Sequence, residues 1–394
     1  MEQHNNSIVR SPFDVHEAAA IRRQPYSHTR RPTVEIAYRI LNNPRGFVII
    51  TALTSLFLFL PRLNSQDLAD LRHPQESRLR NIRQLTFGGT NAEAYFSFDE
   101  SRLIFQSTRP PFECDQIFTM ELDGSDQRLA SNGKGVTTCG YFLPGGKRIL
   151  YASTFGEGDH CYPRPDKSKG YVWGVWNAYD IYTANTDGSD VRVLTSSASY
   201  DAEATVSPAG DRIVFTSGRD GDLDLYTMNL DGSDLRRITN ETGYDGGAFY
   251  SWDGKRIIYR AYHHQDSAGV AEYKALLVEQ LVRPTVMEIF LCDADGGNKR
   301  QLTSTGSANF APFFHPDNKR IIYASNRNDP RGRTFHLYLS SDDASHVEQV
   351  TFGDGFNAFP MFSRDGKHLV FVSDRNAKSR YEFNIFLADW VDQP

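Results

Sequence analysis

The stretch SPAGDRIVFTSGRDGDLDLYTMNLDGSDLRRIT, residues 207–239, decides the fold. It holds a turn, an apolar run, a loop, an alternating run, an Asp-Gly turn and a short polar end. Apolar segments this short, separated by Gly- and Asp-rich turns, read as antiparallel strands joined by hairpins.

The unit recurs along the chain. Its apolar–turn–basic–apolar core appears as AYFSFDESRLIFQS (94–107), GYFLPGGKRILYAS (140–153), ATVSPAGDRIVFTS (204–217), AFYSWDGKRIIYRA (248–261), PFFHPDNKRIIYAS (312–325) and PMFSRDGKHLVFVS (360–373). Each copy is followed by a third strand and turn, as in QIFTMELDGS, DIYTANTDGS and DLYTMNLDGS, degenerate in HLYLSSDDAS. Polar segments such as RVLT (192–195) and RRIT (236–239) supply a fourth strand, d, after strands a, b and c. One four-stranded sheet per repeat, arrayed radially, is a propeller blade, so residues 82–394 are expected to form an all-β, six-bladed propeller. The chain ends after strand c of the last repeat. Ile82–Thr86 is therefore expected to pair around Asn384–Ala388 and close the ring, removing the exposed edges.

Composition agrees. The 394 residues are 39% hydrophobic and 23% charged, as in globular chains, and Phe and Tyr far outnumber Met, which favours strands. A net charge of −6, with no basic stripe and no zinc-type Cys/His spacing, excludes nucleic acid as a partner. Four cysteines are too few to hold the fold. Cys114 and Cys161 occupy b–c loops of adjacent blades, where a disulfide is open to them; Cys139 and Cys292 read as buried thiols.

The beginning of the chain is different. Residues 1–45 form an Arg-rich tail with seven arginines against four carboxylates. GFVIITALTSLFLFL, Gly46–Leu60, follows without a charge. An uncleaved anchor, a cleaved signal and a buried helix are all open; the anchor is favoured because no small-x-small site follows. The expected organisation is tail 1–45, transmembrane helix 46–62 in a lipid bilayer, linker 63–81 and propeller 82–394. The arginine balance favours a cytoplasmic amino terminus and a periplasmic or extracytoplasmic propeller.

The phrases SPAGDRIVFTSGRDGDLDLYTMNLDGSDLRRIT and HPDNKRIIYASNR resemble the WD-like repeats of TolB-like six-bladed propellers, over residues 82–394. That resemblance implies the fold. It also implies kinship both with periplasmic scaffold proteins and with the propeller domains of oligopeptidases. This chain carries no G-x-S-x-G elbow.

Every long insertion falls in a b–c loop, above all 155–179 and 262–287, so recognition is expected on that face. Tyr171, Trp173 and Trp176 are candidate partner anchors or loop core. Val270, Tyr273, Leu277 and Leu281 have helical spacing. Two columns align across the repeats. Asn91, Thr137, Asp201, Asp245, Asn309 and Asn357 begin strand a and are expected to ring the channel mouth. There they offer oxygens to a Ca²⁺ or a basic segment, or close Asx-turns. Arg109, Phe155, Arg219, His263, Arg327 and Arg375 follow strand b and are expected to make inter-blade ion pairs or touch ligand. No cofactor other than that Ca²⁺ is expected.

Catalytic signals are weak. Asp159, His160, Cys161, His263 and His264 are metal-type residues in separate blades, and Glu93 and Glu203 are a carboxylate pair in blades one and three. The expected function is therefore a non-catalytic, membrane-anchored scaffold or accessory subunit, partnered by membrane-complex subunits or a lipoprotein. The alternative is a propeller hydrolase or lactonase-type enzyme with a metal at the channel mouth.

Overall fold

The computed structural model describes residues 71–329 and 332–393. Among them, six four-stranded antiparallel sheets follow one another as blades. In blade three the strands are Asp201–Val206, Arg212–Ser217, Asp224–Asn229 and Arg236–Arg237, paired in that order. The other blades repeat this order, and blade six takes its outer strand from the start of the propeller. Leu79–Gln84 pairs with Asn384–Trp390, with Gln84 opposite Phe386 and Arg83 opposite Leu387. The closing strand thus starts three residues before the expected boundary.

Each blade is built on two stacked rings. The b-strand aromatic and its c-strand neighbour, such as Phe105 with Phe118 or Phe371 with Phe386, lie 5.7–6.2 Å apart in all six blades. All six b-strand rings are fully buried. Offset stacking of this kind adds about 0.5–1.5 kcal/mol beyond area burial. Blades are also stitched to one another. The backbone N–H of Asn91, Thr137, Asp201, Asp245, Asn309 and Asn357 donates to the carbonyl of Phe383, Asp115, Tyr179, Leu223, Met287 and Phe335 respectively, at 2.8–3.0 Å. The Asn91–Phe383 bond seals blade six to blade one.

Turn chemistry explains the Asp-Gly repeats. Gly296 sits at φ +88°, and a Cβ there would lie 2.6 Å from the Ile238 carbonyl oxygen. Blade five, whose turn lacks glycine, places Ala344 at φ 59° instead.

The expected tail and the anchor at 46–62 lie outside the described residues. Among the described residues no helix is long and apolar enough to cross a membrane. Among the described residues the fold class is therefore the six-bladed propeller, without the transmembrane helix expected before it. The bilayer as partner, membrane anchoring and a cytoplasmic amino terminus all rested on that helix, and nothing among the described residues supports them. The described part of the expected linker packs on the propeller: Glu76 is fully buried and accepts from Arg375 at 2.9 Å.

Candidate functional site

Strand a of every blade carries one bulge, where its register against strand b slips. A bulge re-aims a single side chain. The bulged residues are Glu93, Cys139, Glu203, Gly247, Ala311 and Phe359, all at φ between 48° and 59°. All six line one cavity on the channel axis. The channel ring is thus acidic and thiol-bearing in blades one to three and apolar in blades four to six.

The gap at Gly247 is filled from strand b of its own blade. A Cβ at 247 would stand 2.5 Å from Arg260 Nη1. Arg260 pairs with Glu203 and donates to the Tyr244 hydroxyl at 2.8 Å. Glu203 also accepts from Tyr244 (2.8 Å), Thr216 (2.9 Å) and the Gly247 N–H (2.8 Å). A buried ion pair is tolerable only when its remaining polar atoms are met; the Glu203 lone pairs are, while Arg260 Nε is left without a hydrogen-bond partner. The Arg260 guanidinium lies 5.3 Å from the Trp173 ring and 5.8 Å from that of Phe310.

Glu93 has a different environment. Burial pushes its carboxyl up to about 7; the Cys139 thiol and Arg260 pull it down, while Glu203 and Asp115 repel it. Asp115 accepts from Gln106 at 3.3 Å, and the Gln106 amide oxygen accepts from Thr138 (2.6 Å) and the Cys139 N–H (3.1 Å). Burial also raises the Cys139 thiol well above its ordinary value. Two carboxylates thus share one cavity in different surroundings, Glu203 held by an arginine and three hydrogen bonds and Glu93 pushed upward by burial.

The two long insertions roof this cavity. Trp173–Gly174 from blade two pairs antiparallel with Leu281–Val282 from blade four. The Val175 N–H donates to the Gln280 carbonyl at 2.8 Å. The expected helix spans Ser267–Val278, capped by Asp266 accepting from the Gly269 N–H at 2.8 Å. Its Tyr273 hydroxyl donates to Asp222 at 2.6 Å, fastening helix to propeller. Cys114 and Cys161 form a disulfide that ties the blade-two insertion to blade one. Beneath the roof is a chamber of about 180 Å³ lined by Glu93, Cys139, Trp173, Tyr200, Glu203 and Arg260 among others.

The sequence-derived candidates divide on either side of this chamber. Trp173 is in its wall. Tyr171 accepts from Trp173 Nε1 at 2.7 Å, and Trp176 stacks on Tyr162 at 5.5 Å. The six strand-a column residues are buried at the blade seams rather than turned into the channel, Asn91, Asn309 and Asn357 donating to carbonyls of the preceding blade. Asn91, Asp201 and Asn357 accept from Arg109, Arg219 and Arg375 of the same blade at 2.7–3.1 Å. The arginine pairs are intra-blade, where inter-blade pairs were expected. The second column caps the stacked rings: Arg109, Arg219, Arg327 and Arg375 lie over them, with Phe155 and His263 in the equivalent places. Asn309 instead donates to Glu288 at 3.0 Å, and Thr137 bonds Ser153 at 2.9 Å. Of the dispersed metal-type residues, Cys161 is in the disulfide and His264 stacks on Tyr273.

Two residues the sequence reading set apart, Glu93 and Glu203, meet in the chamber. Glu241, Asp245 and His263 bring three ligand-type atoms within 4.8 Å of one another. Both findings run against a non-catalytic scaffold, and that expectation is corrected.

Comparison with known proteins bears on the fold. No curated protein matches the chain. A putative TolB from Agrobacterium tumefaciens is 16% identical, covering 79% of this chain and 97% of its own, at a TM-score of 0.52. TolB from Acinetobacter baumannii is 19% identical, covering 78% and 65%, at 0.47. An oligogalacturonate lyase from Vibrio parahaemolyticus is 14% identical, covering 78% and 79%, at 0.48. Identities this low speak to fold alone. The family model for the TolB beta propeller domain matches residues 174–282 and 273–390, and the chain belongs to that family.

Proposed function

We propose that this propeller is an enzyme of hydrolase type whose reaction runs in the roofed chamber, with Glu93 as the proton-transfer group. The observation that carries the reading is Glu93 itself. Its carboxyl is displayed from a bulge into a chamber of about 180 Å³ and poised at about 7, where it can both give and take a proton at neutral pH. Glu203 is saturated by Arg260, Tyr244, Thr216 and the Gly247 N–H, so it does not react. It sets the field around Glu93 and holds Arg260 in place. Trp173, Tyr200 and Phe310 give the chamber apolar walls, and with polar groups converging from one side this suits a small, polar, ring-shaped substrate such as a lactone or sugar.

The test is a rate–pH profile over a panel of lactones and short glycosides. The reading expects turnover with an inflection near 7, lost in Glu93→Gln and kept in Cys139→Ser. Turnover by Glu93→Gln equal to wild type, or no turnover of any panel member by wild type, counts against it.

A further inference from the structure

Blades three and four meet at two buried carboxylates; blades two and three also bring two together, Asp180 and Asp201, but there Arg219 pairs with Asp201 at 3.1 Å. The first-strand column puts Asp245 there, fully buried, and the start of strand c in blade three puts Asp224 beside it, also fully buried. At the equivalent place between blades four and five an acid meets an amide, Glu288 accepting from Asn309 at 3.0 Å. Between blades six and one two amides meet, Asn91 donating to Asn384 at 3.4 Å. Only an acid–acid pair needs a cation or a shared proton to be stable when buried.

The cation expected from the repeat is missing. Blades one, three and six place an arginine against this column, whereas blade four places His263, whose Nε2 lies 2.8 Å from Asp245 Oδ1. Asp245 Oδ2 has no partner of good hydrogen-bond geometry; the Thr239 hydroxyl lies within electrostatic hydrogen-bonding reach of the carboxyl. Asp224 gives Oδ2 to Arg237 at 2.6 Å and leaves Oδ1 without a partner. Two orphaned carboxylate oxygens inside a protein are costly unless something positive sits between them. Glu241, on the loop entering blade four, completes the group, its ligand atom within 4.8 Å of those of Asp245 and His263.

We propose that this seam binds one divalent first-row transition metal, of the Mn²⁺ or Zn²⁺ kind, through Asp245, His263 and Glu241, with Asp224 as the neighbouring counter-charge. An imidazole among carboxylates selects such ions over Ca²⁺ and Mg²⁺, which take oxygen ligands. Binding replaces the proton that His263 and Asp245 share, and that proton leaves to solvent. Lys299 competes with the metal, since its ammonium lies 3.0 and 3.1 Å from the two Glu241 oxygens. The proposal is independent of the role given to Glu93.

The test titrates Mn²⁺ alone and Zn²⁺ alone into the chelator-treated full chain by calorimetry, with Mn²⁺ followed by EPR. Expected are one equivalent bound, Zn²⁺ displacing Mn²⁺, and a heat that varies with the buffer's protonation enthalpy. Glu241→Gln and His263→Gln each weaken binding at least tenfold, and Lys299→Ala tightens it several-fold. Glu241 and Lys299 are partly exposed surface groups, so their variants report even if His263→Gln misfolds. Absence of binding in both wild type and Lys299→Ala overturns the proposal, as does binding that survives Glu241→Gln unchanged.

Discussion

Gly247 and Arg260 occupy one volume between them: a Cβ on the glycine would stand 2.5 Å from the arginine's Nη1. The single missing side chain in the channel ring is therefore what admits the guanidinium, and the guanidinium in turn fixes Glu203. The asymmetry of a six-fold scaffold, polar on one side and apolar on the other, turns on that pair.

Gly247→Ala must displace Arg260 and also hold alanine at φ +59°. We expect a loss of more than about 2 kcal/mol in denaturant unfolding, because an ion pair is broken as well as the backbone strained. Gly254→Ala is the control. It has a similar φ of +70° and open space around it, so only the backbone cost of about 1 kcal/mol applies.

Stability should fall as pH rises through neutrality. Glu93 is raised by burial to about 7, and Asp180 to about 6, chiefly by burial and also by the charge of Asp201. Folding favours the protonated form of each, so the contribution of Glu93 is fully present below about 4.5 and that of Asp180 below about 3.8, and both are lost as pH climbs to about 7. Glu93→Gln should remove much of that slope and leave the variant more stable than wild type at pH 8, by on the order of 2 kcal/mol. A midpoint that rises from pH 5 to 8 in both proteins contradicts the assignment.

Replacing Cys114 and Cys161 together by Ser opens a loop spanning a sequence separation of 47 residues. Chain-entropy arguments put the cost at about 2–4 kcal/mol. Because the same bond secures the chamber roof, protease cleavage within 155–179 should speed up in the double variant before global unfolding does.

Trp173 meets Phe310 at 5.2 Å and Arg260 at 5.3 Å. Trp173→Ala should therefore lower stability by about 3 kcal/mol and leave the Arg260 guanidinium more exposed. An unchanged unfolding midpoint would contradict this structural role for the tryptophan.

The architecture was legible because it repeats. Six copies of one unit, two conspicuous insertions and a lone strand at Ile82–Thr86 lead to the closed propeller by spacing alone. The site was not legible, because it depends on what departs from the repeat. The Asn and Asp column drew attention as the regular feature, yet the pleat turns those side chains into the seams between blades. Two residues later the bulge turns Glu93, Cys139 and Glu203 into the channel. Aligning that position across the repeats gives Glu, Cys, Glu, Gly, Ala and Phe, and its irregularity was the available signal. The insertions read as outward docking loops because aromatic residues suit either role. Only the pairing of Trp173–Gly174 with Leu281–Val282 shows them folded over the channel.

As the proposed proton-transfer group, Glu93 must carry an exchangeable proton at neutral pH, and the most direct measurement is a carboxyl titration by ¹³C NMR or difference infrared spectroscopy. Glu93→Gln identifies the signal. The account predicts a pKa near 7 in the wild type, falling when Glu203→Gln removes the repelling charge. A Glu93 pKa in the ordinary range near 4.5, unmoved by that substitution, would contradict it.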